Sequence, residues 1–308
     1  MRVAIPALAF CALAAWLGAA DKPSPPPPVF PVGLDLVNLT VTVRDAEGNL
    51  VPNLKADDFT VLEDGHVQPL QLFAPTVEPG QEETLALDLG LLMDTSESML
   101  NELKLSQEAA VRFLEAIPRA RDLMTIFFDQ DIRISRYDSE HQQGLVSRIL
   151  EMKGSGQTAL YDAMAVYLSR VQNSSGRRVL VLFTDGDDTT SSLSLPEIIQ
   201  LVRSSEVTIY SIAFTGSLPS GGGRGLSARA FLHNVADLSG GDVFTPVSSK
   251  DLDGIYDKIL AELTSQYVLG YVSDNTRRDG KFRKLKVEVK PKGMKVRHRG
   301  GYYAPKDE

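Results

Sequence analysis

At 308 residues, 43% of them apolar, the chain can bury the core of one large domain or two of ordinary size. Its 40 acidic residues outnumber 32 basic ones, for a net charge of −8, which argues against a nucleic-acid partner because such a partner usually needs a basic face. The single cysteine, Cys11, lies in the leader-like segment described next, so a chain processed there has no disulfide and holds together by its core and any bound metal.

Met1-Arg2 is a short basic start, residues 3–17 are almost wholly apolar, and Gly18-Ala19-Ala20 precede Asp21. Residues 1–20 therefore read as a secretory signal peptide, giving a secreted, periplasmic or cell-surface product with no transmembrane segment after cleavage. An uncleaved anchor is the alternative, although so short a run barely reaches across a bilayer. Phe10 ahead of Cys11 fits a lipoprotein cleavage box poorly. Residues 21–32 (DKPSPPPPVFPV) contain six prolines and read as an extended polyproline linker.

From residue 34 to Arg44 the apolar residues are spaced with a period of two and include β-branched ones, and a turn follows over 45–49. This is a strand with one buried face. A second strand is expected over 59–63 and a third over 67–73, joined by Asp64-Gly65, a hairpin signal; Pro69 makes the third an edge strand. The far end shows the same signature over 266–272, 283–290 and 295–299, closing at Tyr302-Tyr303. Small β units are marginal alone. Residues 33–80 and 266–305 are therefore expected to pair into one discontinuous β-sandwich, and the alternative is two separate β modules.

Between them, residues 84–265 alternate strands (85–94, 122–129, 132–137, 177–183, 207–214, 242–247) with helices (99–117, 142–152, 159–171, 196–205, 227–238, 252–263). Only Gln130-Asp131 separate the second and third strands, so that pair is antiparallel. The expectation is an α/β unit with a doubly wound, mostly parallel six-stranded sheet, inserted in the sandwich.

The first strand of this unit carries the strongest signal. The run Leu89-Gly90-Leu91-Leu92-Met93 stops at a carboxylate, and Asp94, Ser96 and Ser98 follow at alternate positions. One carboxylate and two hydroxyls thus meet at the C-terminal edge of a buried strand, where open α/β sheets place their ligand sites. Two further loops add oxygens. Thr158 follows Gly154-Ser155-Gly156-Gln157 at a helix start, and Asp185, Asp187 and Asp188 follow the buried strand 177–183. Singly these are ordinary: Ser96, Ser98 and Thr158 as N-caps, Asp185-Gly186 as a turn. Together they are candidate ligands for a divalent cation on one sheet edge.

The combination resembles the metal-ion-dependent adhesion site of von Willebrand factor type A domains, with Asp94, Ser96, Ser98, Thr158 and Asp185 matching its five-residue motif without substitution. Leu238-Ser239-Gly240-Gly241-Asp242-Val243-Phe244 resembles the family's late glycine pair, and the likeness spans residues 84–265. The flanks, with Thr42-Val43-Arg44-Asp45, Glu63-Asp64-Gly65 and Gly301-Tyr302-Tyr303, look like those of secreted bacterial VWFA-related proteins. The resemblance implies a protein-binding module in which the metal accepts an Asp or Glu from the partner. It also implies that Ser96, Ser98 and Thr158 ligate directly, while Asp94 and Asp185 act through water. Hard oxygen ligands suit Mg²⁺, with Mn²⁺ or Ca²⁺ as alternatives. Glu97, Asp187 and Asp188 either add negative potential around the site or are solvated loop residues.

An enzyme is the rival reading. Asp185-Gly186-Asp187-Asp188-Thr189 fits the Asp-x-Asp-x-Thr of haloacid-dehalogenase-like phosphatases, with Asp185 as nucleophile, Asp187 as acid/base and Thr215 as the second-strand hydroxyl. That family usually begins with this motif, and the rival leaves Asp94, Ser96 and Ser98 unexplained. A Ser-His-Asp hydrolase is weaker: the 4 histidines come with no Gly-x-Ser-x-Gly elbow. The glycine-rich stretch 217–228 lacks Gly-Lys-Ser/Thr, so it reads as a mobile loop rather than a phosphate cradle. The nine Lys and Arg residues over 281–299 read as a solvated strand face.

Overall fold

The computed structural model describes residues 36–75, 87–117, 120–137, 142–172, 177–214 and 223–307. The expected signal peptide, the proline-rich linker, Thr215 and residues 217–222 of the expected glycine-rich loop lie outside the described residues, and residues 223–228 of that stretch are helical rather than loop. The described residues belong to a single unit.

Its elements in chain order are β1 (Leu36–Arg44), β2 (Phe59–Glu63), β3 (His66–Gln68), β4 (Leu72–Pro75), β5 (Leu87–Asp94), α1 (Leu103–Ala116), β6 (Asp122–Phe128), β7 (Ile132–Tyr137), α2 (Gln142–Leu150), α3 (Leu160–Arg170), β8 (Arg177–Thr184), α4 (Leu195–Ser204), β9 (Val207–Ala213), α5 (Gly223–Ser239), β10 (Val243–Phe244), α6 (Leu252–Ser265), β11 (Tyr267–Val272), β12 (Phe282–Val289), β13 (Lys295–Arg297) and β14 (Gly301–Tyr303).

Strands β5 to β10 form a six-stranded sheet in the order β10-β9-β8-β5-β6-β7. All neighbours are parallel except β6 and β7. Strand β5 lies in the middle and every residue of it is buried, as a strand covered by helices on both faces must be. Alternation along it divides two cores. Leu89, Leu91 and Met93 pack with α1, α2 and α6, and Leu92 packs with α3, α4 and α5. Gly90 is required by a close approach, because a Cβ there would run into the ring of Tyr167. That ring comes from α3 to bridge β5 and β8, its hydroxyl donating to Asp88 O at 3.2 Å and Val179 O at 2.8 Å.

The remaining strands form two four-stranded antiparallel sheets, β13-β1-β11-β4 and β14-β12-β2-β3. Each mixes N-terminal and C-terminal strands: β1 pairs with β11 from Leu36↔Val272 to Val41↔Tyr267, and β2 pairs with β12 from Glu63↔Leu285 to Phe59↔Val289. Val37, Leu39 and Val41 share one core with Val61, Leu269, Leu285 and Val287. The sandwich is thus discontinuous and carries the α/β unit as an insertion. Buried Glu63 adds a polar clasp, accepting hydrogen bonds from Tyr271 (2.7 Å), Ser273 (2.7 Å) and Tyr302 (2.9 Å).

One expected strand is corrected. Residues 67–73 are two strands in different sheets, because Pro69 has no N–H to continue a ladder: β3 pairs with β2, and β4 crosses to pair with β11. The helix expected from residue 99 begins instead at Leu103, after a short 3₁₀ turn over Glu97–Met99. The sandwich is anchored to the inserted unit through Glu262 of α6, which is fully buried and takes Thr42 Oγ1 at 3.1 Å, Arg44 at 3.4 Å and the Arg297 guanidinium.

Candidate metal centre

Asp94 closes β5 and Asp185 follows the last residue of β8, so two carboxylates leave neighbouring central strands at the same edge. The chain winds away from β5 to β6 on one side and later to β8 on the other, which makes this edge the switch point of the sheet. Both side chains are fully buried.

The alternation read in the sequence is realised here. Asp94 Oδ1 accepts the Ser96 amide at 3.0 Å and the Ser96 hydroxyl at 2.6 Å, and the Ser96 and Ser98 hydroxyls lie 3.0 Å apart. Ser96 occupies the N-cap position of the 3₁₀ turn but makes no side-chain cap bond, so the capping reading does not hold for it. Thr158 is buried and precedes the N-cap of α3, which is Ala159. Its loop is tied to both others: the Glu97 amide donates to Gly156 O at 3.0 Å, the Ser155 amide to Thr95 O at 2.8 Å, and the Thr189 and Thr190 amides to Thr158 O at 2.9 and 3.1 Å. Ser98 and Glu97 are exposed, so the cluster opens to solvent at Ser98. Half-buried Asp187 donates its amide to Asp185 Oδ1 at 3.0 Å. Asp188 points elsewhere: its Oδ1 accepts the Tyr161 amide (3.1 Å) and the Ser191 hydroxyl (2.6 Å) at the start of α3.

Two groups that the motif did not name shape the site. Thr184 donates its hydroxyl to Asp94 Oδ2 at 2.6 Å and accepts the Gly186 amide at 3.0 Å, so it couples the two aspartate loops. Thr95, on the opposite side of the turn from Asp94 and Ser96, donates to Asp129 Oδ2 (3.2 Å) and accepts from Arg133 (2.9 Å), which also pairs with Asp129 at 2.7 Å. Asp129 O in turn accepts the Ala159 amide at 2.8 Å, so one residue holds the Asp94 loop and the Thr158 loop together. A hydroxyl beside Asp185 and a carboxylate directly after β6 are visible signals in the sequence; their partners 90 and 34 positions away in the chain are not.

The electrostatics separate the two carboxylate environments. Burial, with the Asp185 charge behind it, pushes the Asp94 carboxyl up to about 7, against the Ser96 and Thr184 hydrogen bonds. Burial likewise raises Asp185, outweighing the Asp187 amide and Ser98 hydroxyl. Burial also acts on Asp129, but there the Arg133 guanidinium and the Asp131 amide win and hold it below its ordinary value. Asp185 Oδ2 is buried with no hydrogen-bond partner, and an orphaned buried carboxylate oxygen is costly. Two confined carboxylates with serine and threonine hydroxyls around them form a hard-oxygen donor set, the chemistry that Mg²⁺, Mn²⁺ and Ca²⁺ take. The residues present fit such a cation.

The family model of the von Willebrand factor type A domain matches residues 88–258, more than half of the chain. The chain belongs to this family. The six-stranded sheet and its flanking helices are its type A domain. Among solved structures, a von Willebrand factor type A protein from Catenulispora acidiphila is similar at 12% identity, with 91% of this chain and 76% of that one covered and a TM-score of 0.49. An aerotolerance-related membrane protein from Bacteroides fragilis is similar at 13% identity, over 57% of this chain and 98% of that one, with a TM-score of 0.46. The pilus adhesin SpaC from Lactobacillus rhamnosus GG, in its open conformation, is similar at 10% identity, over 80% of this chain and 48% of that one, with a TM-score of 0.49. No curated protein matches the chain.

Proposed function

We propose that the type A domain binds a protein partner through a divalent cation, Mg²⁺ first and Mn²⁺ or Ca²⁺ as alternatives. Asp94, Ser96, Ser98, Thr158 and Asp185 would hold it, and the partner would contribute an Asp or Glu. The observation that carries this reading is the burial of Asp94 beside Asp185, which raises the Asp94 carboxyl to about 7. Two like charges confined in this way are a standing cost that a dication removes. The bound cation would supply a position for an outside carboxylate, since two aspartates at most balance its charge. The protein's own groups do the positioning: Thr184 and Ser96 orient Asp94, the Asp187 amide orients Asp185, and exposed Ser98 leaves the outer side open.

The reading is of binding, not turnover. The phosphatase alternative gives roles to Asp185 and Asp187 but none to Asp94, whose burial beside Asp185 is the feature most in need of explanation. The leader-like segment 1–20 favours a location outside the cytoplasm. No helix among the described residues is long and apolar enough to cross a membrane.

Capture of proteins from the native extracellular fraction on immobilised chain, in Mg²⁺ and in EDTA, tests the proposal. A partner retained in Mg²⁺, released by EDTA and absent from an Asp94→Ala column is the expected result. Retention that survives EDTA, or phosphatase activity that disappears in Asp187→Asn, would overturn it.

A further inference from the structure

A cleft of about 350 Å³ opens on the same edge of the sheet as the cation centre. Thr95 and Ser155 form the wall between them: Thr95 lies between Asp94 and Ser96, Ser155 belongs to the loop that carries Thr158, and the Ser155 amide donates to Thr95 O at 2.8 Å. Phe127, near the end of β6, and half-buried Met152 are its apolar lining. Arg133 from the start of β7, Arg148 from the end of α2 and Lys153 from the loop after it bring positive charge. Among the described lining residues the carboxylates are Asp129 and Glu151.

These charges are not equivalent. Asp129 answers Arg133, which it meets at 2.7 and 3.2 Å. Arg148 is held by neutral groups instead: its Nη1 donates to Ser135 Oγ at 2.9 Å, and its guanidinium lies 5.2 Å from the centre of the Phe127 ring. Lys153 and Glu151 are both exposed, and neither forms an ion pair among the described residues. A guanidinium fixed by a hydroxyl and a ring face is oriented without being neutralised. The cleft therefore offers an incoming acid one preset cation, Arg148, and one on a flexible stem, Lys153, with Glu151 to oppose it.

The surroundings favour a polypeptide over a free anion. Strands β5, β8, β9 and β10 run parallel and end at this edge, and α2 returns to it from antiparallel β7. Leu100, Leu150, Leu195, Leu226 and Val247 all lie in the loops or terminal helical turns there, and among the described residues they are the exposed large apolar side chains of the type A domain. Exposed leucines scattered singly need no explanation, but apolar side chains gathered at one edge mark an interaction face.

We propose that the cleft is a second acceptor for the same partner, a polypeptide segment carrying two acids. One acid reaches the cation, and the other, a glutamate, enters beside Arg148 and Lys153 with its methylenes against Phe127 and Met152. The proposal rests on the reading of the cation centre given above and adds the chemistry of the partner. Thr95 of the shared wall is the chain neighbour of Asp94, so one short extended segment spans both acceptors; side chains on one side of such a segment recur about every 7 Å.

The test uses the full chain at about 0.15 M salt, where screening limits the comparison to charges within about 8 Å. Two blocked peptides are titrated calorimetrically in Mg²⁺ and in EDTA: Gly-Asp-Gly-Glu-Gly, and the same peptide with Gln for Glu. The ratio between peptides reads the cleft and the ratio between buffers reads the cation, so either can fail alone. The diacid is expected to bind about three- to tenfold tighter, between the worth of an exposed ion pair and that of a charge-assisted hydrogen bond. Lys153→Gln and Arg148→Gln should each reduce that preference, Lys153→Arg should keep it, and Glu151→Gln should enlarge it. Arg148→Gln also loses the bond to Ser135, so Lys153→Gln is the cleaner arm. Equal binding of the two peptides to the wild type, a preference that survives both changes to Gln, or no binding of either peptide at about 10 mM, tenfold beyond a millimolar affinity, would overturn the proposal. A preference for the diacid that is the same in both buffers, with no gain from Mg²⁺, would support the cleft and overturn the cation reading; dependence on Mg²⁺ without that preference would do the reverse.

Discussion

Asp94 and Asp185 leave adjacent parallel strands with both carboxylates buried, and the charge of Asp185 helps to raise the Asp94 carboxyl to about 7. In the metal-free protein this pair therefore opposes folding as pH rises: the folded state holds a proton that the unfolded chain, with its ordinary value of 3.8, has already lost, so stability declines between these two values. Asp185→Asn keeps Oδ1 for the Asp187 amide and removes the repulsion. It is expected to stabilise the metal-free chain near neutral pH by roughly 1 kcal/mol, about one pKa unit's worth, while Mg²⁺ no longer raises its melting temperature. Thermal unfolding of both proteins with EDTA and with Mg²⁺ reads both effects.

Thr184 ties the two aspartate loops with one hydroxyl. Thr184→Val keeps the shape but leaves Asp94 Oδ2 without that donor and the Gly186 amide without that acceptor. Urea unfolding of the metal-free variant should show a loss of about 1–3 kcal/mol, and Mg²⁺ affinity should drop by about tenfold or more, as for other groups that orient metal ligands. Unchanged affinity would mean that Thr184 is only a fold residue.

Gly186 has φ +85°, and a Cβ on it would come within 2.9 Å of Ala228 O and of the Leu232 side chain, whereas Gly48, at φ +91°, has nothing within 4 Å of such an atom. Gly48→Ala should therefore cost only the backbone term of about 1 kcal/mol. Gly186→Ala should cost clearly more and weaken metal binding as well, because it displaces the loop that carries Asp185. Equal losses in the two variants would contradict the crowding seen at α5.

His298 joins the two parts of the C-terminal hairpin region: its Nε2 accepts the Val287 amide at 3.1 Å and its Nδ1–H donates to Arg299 O at 2.7 Å. Burial, then the neighbouring Arg299 charge, lowers it from its ordinary 6.5 despite that carbonyl. The folded state thus binds fewer protons than the unfolded one, so this contribution is complete above about 6.5 and is lost as pH falls toward the lowered value. The Asp94 pair acts with the opposite sign, so the informative quantity is the difference between wild type and His298→Gln. Urea midpoints at pH 7.5 and 5.5 should show a smaller acid loss in the variant.

Much of this was legible because it is local. Alternation in β1, β2 and β12 gave their buried faces, and a run of apolar residues ending at Asp94 gave a strand edge with Ser96 and Ser98 on one side of the turn. The type A resemblance then tied Thr158 and Asp185 to that edge. What stayed hidden depends on partners far apart in the chain. Thr184 matters because Asp94 arrives beside it from another strand, and Asp129 because Thr95 and Ala159 meet there. Arg178 and Arg299 share Glu206 only once the sandwich has closed on the base of the sheet. Pro69 was read as marking an edge, but not as the point where the chain changes sheets, since that depends on β11 being present to receive β4.

Titration calorimetry of Mg²⁺ into the metal-free full chain, beside Asp94→Ala, tests the cation site most directly. Saturable one-to-one binding in the wild type that vanishes in the variant is the predicted result. Equal binding in both proteins, or none in the wild type up to about 10 mM, beyond the range of extracellular cation modules, would contradict it.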